Sequence, residues 1–148
     1  MTGTAPAVAA TVVAGGLVAL QAPINSKLGK AVGTFAAASV SFAIGLAVLV
    51  IIALVFGNGF GRLGEALHIP WYYLLGGVLG AAYVTTVLLS VREIGAGSVA
   101  AATISGQLTA SVIVDQLGIL GLQQRALTFP RVLGIALLAA GVFLIVRD

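Results

Sequence analysis

The sequence has no cysteine, one histidine and only four acidic residues, and each shortage removes a class of chemistry. Without cysteine there is no disulfide, thiol nucleophile, zinc–thiolate centre or iron–sulfur cluster, because these need the missing ligand itself. His68, alone in a loop, reads as a solvated side chain. No paired acids, Ser–His arrangement or metal cluster is visible, so neither an enzyme nor a metal or cofactor site is expected.

Charge is scarce as well. Seven Lys or Arg and four Asp or Glu make 7% of 148 residues, against about 25% in ordinary soluble domains. The net charge of +3 comes from basic residues scattered one or two at a time, without the basic stripe that nucleic acid requires, so these read as charges of membrane loops. What is present is apolar surface: 60% of the residues are hydrophobic and the mean hydropathy is +1.18. So few charges cannot coat a globule of this length, and the expected surroundings are a lipid bilayer.

A bilayer core about 30 Å thick needs about 20 apolar residues of helix. Charge-free windows run Met1–Ser26, Ala31–Gly61, Ala66–Val91, Ile94–Val114 and Val132–Val146. The last is short, but Arg131 and Arg147 bracket it and extend outward. Breaks fall at Lys27, Gly29, Lys30 and Gly33, at the turn Gly57-Asn58-Gly59-Phe60-Gly61-Arg62, at Arg92 to Gly97, and at the polar connector Gly118 to Thr128. Pro70 and Pro130 open helices, and Trp71, Tyr72 and Tyr73 form an interfacial belt. The expectation is a single all-α integral membrane domain over 1–148 with five transmembrane helices, at 5–26, 34–56, 70–91, 96–117 and 130–147. The first span has no basic residue before it and is expected to remain in the mature protein.

Five crossings put the termini on opposite sides. Arg62, Arg125 and Arg131 then share the N-terminal side, and Lys27, Lys30, Arg92 and Arg147 the other. That near-balance cancels the usual orienting instruction, so the chain is expected to insert both ways. An antiparallel pair has a two-fold axis in the membrane plane, the symmetry of inverted-repeat transporters. A single orientation, or pairing with a differently biased paralogue, is the competing reading.

Polar side chains within spans cost free energy unless partnered. Thr103, Gln107, Ser111 and Asp115 recur every four residues on the fourth span, and Gly106 beside Gln107 permits close backbone approach. The Gln107 amide either binds solute or hydrogen-bonds a facing helix. Asp115 either pairs with Arg125 or Arg131 or takes up a proton during transport; lying near the end of its span, it favours the ion pair. Gln21 and Asn25 flank Pro23, which either opens the first helix into a binding element or ends it. Tyr83, Thr86 and Ser90 share a face of the third span, and Gly76 and Gly80 form a small-xxx-small packing pair.

Gln21 and Asn25 with Pro23, Ser41-Phe42 and Gly45, Pro70-Trp71, Gly76-Gly77-Val78-Leu79-Gly80-Ala81, Gly106-Gln107-Leu108, Asp115-Gln116-Leu117-Gly118 with Gly121, and Arg131 with Gly134 and Gly141 resemble the YdcZ-type family of the drug/metabolite transporter (DMT) superfamily. The resemblance covers nearly the whole chain, and the Gly-Gln-Leu to Asp-x-x-Gly spacing is its most specific part. It implies a five-helix unit equivalent to half of a ten-helix DMT-type (EmrE-like) transporter, completed by dimerisation, and a role as an inner-membrane exporter of small molecules. Related small multidrug-resistance proteins use a membrane-embedded glutamate in helix 1; here no acid occurs from Met1 to Ser26, so drug-cation antiport by that route is not expected.

The resulting expectation is a multi-pass protein of the cell (inner) membrane, working by alternating access as an antiparallel homodimer. Its partners would be the lipid bilayer, a neutral, zwitterionic or weakly polar small molecule, and a second copy or a paralogous half-transporter. Gln21, Asn25, Tyr83, Gln107, Thr103 and Ser111 would contact the solute, Asp115 would couple or pair, and Gly76, Gly80 and Gly106 would pack. A passive channel and a non-transporting membrane scaffold are the alternatives.

Overall fold

A computed structural model describes residues 4–57 and 59–147; Asn58, in the expected turn, and residues 1–3, in the first charge-free window, lie outside them. Among the described residues every regular element is helical: α1 (Thr4–Val32), α2 (Thr34–Phe56), two short 3₁₀ turns (Leu63–Leu67 and Trp71–Leu75), α3 (Gly76–Leu117) and α4 (Phe129–Arg147). Among the described residues four helices are, by length and composition, able to cross a membrane. Their apolar side chains point outward all round: Leu49 and Leu137 are 63% and 64% exposed, which in water would be prohibitive and in lipid is the favourable state.

α1 runs on through Lys27 and Lys30 to Val32, beyond the expected end of its span at residue 26. Pro23 lies inside this continuous helix, neither ending nor opening it. The break comes at Gly33, whose φ of 90° and ψ of 154° suit glycine alone. This single residue joins α1 to α2, and the two helices pack on one another. α2 is free of charge and proline from Thr34 to Phe56, so nothing interrupts it until the glycine-rich turn.

α3 is longer than any bilayer requires, but its helical run contains one non-helical residue, Gly95, at φ 78° and ψ 164°. The chain accordingly divides into two compact units, Met1–Arg92 and Glu93–Asp148.

In the first unit, Ala22, Asn25, Ser26 and Gly29 are buried on one stripe of α1, at the three- and four-residue spacing of a helix face. Ala37 and Ala38 of α2 and Val84 and Leu88 of α3 complete this small core. Gly29 marks the closest approach. A methyl group there would come within 2.5 Å of Arg92 Nη2, 3.0 Å of Leu88 Cδ2 and 3.6 Å of the Ala37 side chain. The Phe42 ring lies 3.5 Å from the corresponding point on Gly80, whereas Gly76 and Gly106 have open space there.

In the second unit the connector folds back onto the end of α3. The last carbonyls of a helix lack intrahelical donors and must be met from outside. Here the backbone N–H of Gly118 donates to the carbonyl of Val114 over 3.0 Å, that of Arg125 to the carbonyl of Asp115 over 2.8 Å, and Gln124 Nε2 to the carbonyl of Gln116 over 2.8 Å. The Leu127 backbone N–H in turn donates to Gln116 Oε1. Gly118 (φ 61°), Leu120 (φ 60°) and Gly121 (φ 78°) supply the left-handed backbone that this reversal demands.

Candidate functional site: an amide-lined cavity and an ion pair

Gln21 and Asn25 are four residues apart on α1 and so project from one face. Tyr83, Val84, Val87 and Leu88 form the facing strip of α3. Together with Val18 and Ala22 these residues line a shallow, open cavity with room for about one water molecule, wholly within the first unit. Its polar groups are two side-chain amides and one phenol; no charged side chain lines it. Asn25 is 6% exposed and Gln21 exposed, so the amides run from the cavity's interior towards its rim.

Pro23, on the same helix, is exposed and does not line the cavity. It has no N–H, so the α1 carbonyl one turn earlier, at Ala19, is left without its usual donor. The cavity by itself is far smaller than the roughly 300–1,000 Å³ of typical small-molecule sites.

The remaining polar residues of the fourth expected span belong to the second unit. Thr103 is half-buried, whereas Gln107 and Ser111 are exposed on the α3 surface. Asp115 accepts a hydrogen bond from Arg131 Nη2 over 3.2 Å; the two side chains are 30% and 28% exposed. Arg125 meets Asp115 through its backbone rather than its side chain. Arg131 Nη1 is buried without a hydrogen-bond partner among the described residues.

Outside the spans, Arg62 grips Glu65 with Nε and Nη2 at 2.8 Å each, and this hydrogen bonding raises the guanidinium pKa further above its ordinary value. Both groups are largely in water, so the pair adds little to stability. In the aromatic belt, the Trp71 and Tyr72 rings meet edge-on at 6.3 Å and Tyr72 and Tyr73 lie 4.7 Å apart.

Sequence reasoning passed over Gln116 and Gln124, which bind the connector to α3. Their spacing across a glycine-rich turn was the available signal, but an amide's partner cannot be read from its identity. Gly29, expected as part of the break after the first span, instead lies inside α1 as a buried packing position, a role that depends on Leu88 and Arg92, distant in sequence.

The fold defines a multi-pass α-helical membrane protein with a neutral polar cavity between two helices. Residues 6–144 match the family model described as "Putative inner membrane exporter, YdcZ", and the chain belongs to this family. It is accordingly a multi-pass inner-membrane protein of a transporter family rather than of an enzyme family. No curated protein and no solved structure matches it.

Proposed function

We propose that this chain is a half-transporter that exports a small, uncharged or weakly polar molecule across the inner membrane. The observation that carries the reading is the cavity of Gln21, Asn25 and Tyr83, a set of hydrogen-bonding groups without net charge set among valine, alanine and leucine. Amides and a phenol recognise carbonyl, hydroxyl and amide groups of a solute by direct hydrogen bonds. The absence of a lining charge disfavours a strongly ionic one.

Gly95 supports five crossings of a single membrane domain. An unbroken 42-residue helix would rise to about twice the bilayer core, whereas the limbs 76–94 and 96–117 each match the roughly 20 residues that one crossing needs. An odd number of crossings, with Lys and Arg divided three against four, favours an antiparallel homodimer in which each copy supplies one half of an alternating-access pathway. The small cavity suits this arrangement, since a second copy would enlarge it. Thr103, Gln107 and Ser111 are the second unit's candidates for the same solute, with Asp115 as a coupling site or ion pair.

The test is uptake into proteoliposomes, screened over neutral solutes, by the wild-type protein and by Gln21→Leu, Asn25→Leu and Tyr83→Phe. Saturable flux that falls at least ten-fold in the amide variants, with the oligomer intact on size exclusion, supports the reading. Non-saturating flux indicates a channel, and absence of flux a scaffold. Orientation is tested with Gly64→Cys, an exposed loop position in a chain free of native thiols. Comparable labelling from both sides supports mixed insertion; labelling from one side removes it.

A further inference from the structure

Three cations of the first unit gather at one end of its helices: Lys27 and Lys30 in the last two turns of α1, and Arg92 brought against the same turns from α3. Arg92 lies against Gly29. With no side chain on Gly29, Arg92 Nη2 reaches within 2.5 Å of where its Cβ would stand, and Leu88 closes the other side at 3.0 Å. The guanidinium therefore lies on bare backbone near the carbonyl-rich end of a helix, where a cation is favoured.

None of the three has a carboxylate partner among the described residues, where the ion pairs are Arg62–Glu65 and Arg131–Asp115. All three are exposed, and they flank charge-free helix, so they stand where apolar chain gives way to headgroups. An arginine fork matches phosphate geometry, and lysines add point charge. We propose that Lys30 and Arg92, with Lys27 adding charge at the same level of α1, bind the phosphate of an anionic phospholipid, with the acyl chains lying along the apolar flanks of α1 and α3. The site is separate from the Gln21–Asn25–Tyr83 cavity and does not depend on what the protein exports.

The experiment is native mass spectrometry of the detergent-purified full chain with added phosphatidylglycerol or phosphatidylcholine of identical acyl chains. Wild type should hold phosphatidylglycerol at least five-fold more tightly. Each of Lys27→Gln, Lys30→Gln and Arg92→Gln should weaken that preference by about five-fold, the effect of one cation near an anionic headgroup. Arg92→Lys should fall between, keeping charge but losing the fork. Arg62→Gln, which removes a cation already held by Glu65, should change nothing.

Equal retention of both lipids by wild type overturns the proposal, as does an undiminished preference in the Arg92 and Lys variants. Displacement of the lipid by an equal concentration of inorganic phosphate also overturns it, since the site would then be one for the free anion. If Arg92→Gln does not fold, the wild-type comparison and the two lysine variants decide.

Discussion

Arg131, in the first turn of α4, donates a 3.2 Å hydrogen bond to Asp115, in the last turn of α3, so one ion pair fastens the start of one helix to the end of another across the intervening connector. The pair is about a third exposed, which limits its strength. The uneven cost of breaking it is more informative. Asp115→Leu leaves Arg131 charged and with a second nitrogen unpartnered, since Nη1 has no partner already. Removing both charges leaves neither.

Asp115→Leu is therefore expected to lower stability by about 1–2 kcal/mol, below the range for fully buried pairs, and Asp115→Leu with Arg131→Leu to recover at least half of that loss. Thermal unfolding in one detergent, read as a double-mutant cycle, measures the interaction. Asp115→Asn addresses coupling separately. Transport that persists but no longer responds to a pH gradient identifies a proton-linked acid, whereas normal pH response with reduced stability identifies a structural one.

Gly33 and Gly45 give a controlled pair of substitutions, because neither has an atom within 4 Å of an added methyl group. Backbone conformation alone distinguishes them. Gly33 sits at φ 90°, where alanine is strained, and Gly33→Ala should cost about 1–3 kcal/mol and loosen the α1–α2 joint. Gly45 is inside α2, and Gly45→Ala should stabilise by about 0.5–1 kcal/mol. Opposite shifts in unfolding temperature are the expected outcome; equal shifts would mean that the joint is not at Gly33.

These cases show which physical information the sequence carried. Membrane residence and helical architecture were legible because they are sums over many residues: scarce charge and long apolar windows allow few alternatives. The exact reach of α1 was not. Lys27 and Lys30 set a boundary for lipid, but a helix does not have to stop where the bilayer does, and only Gly33 has the backbone that ends it. Pro23 misled for a related reason, since one missing N–H costs too little to break a helix otherwise held by its neighbours. Gly95 was visible as one glycine in a short link, without a sign that it alone would leave the helical region. Within the site, Gln21 and Asn25 were linked by helical spacing, but their placement opposite Tyr83 depends on tertiary packing that periodicity does not encode.

Gly118 combines left-handed backbone, at φ 61°, with a neighbour that an added methyl group would meet at 3.0 Å, the Cβ of Gln124. Gly118→Ala should therefore cost more than backbone strain alone, at about 2–3 kcal/mol. Gln124→Ala removes the donor to the Gln116 carbonyl at an exposed position and should cost about 0.5–1.5 kcal/mol. Faster proteolysis within 118–128 in both variants, with the larger effect in Gly118→Ala, is the measurement. Equal protection in both would show that the connector is held by other contacts.

Gln107 lies exposed on an apolar helix, with Thr103 and Ser111 one turn to either side. A side-chain amide facing hydrocarbon loses the hydrogen bonds that water would give, so its presence on such a surface requires a cover, either solute or a second protein surface. Gln107→Leu removes the need for that cover. If the amide reads the solute, the variant keeps the wild type's oligomeric state while transport falls ten-fold or more, a loss of about 1.4 kcal/mol of binding. If it joins two copies, the dimer weakens first, and transport falls in proportion to the dimer remaining. Measuring flux and oligomeric state on the same proteoliposome preparation separates the two, because flux per dimer falls only in the first case.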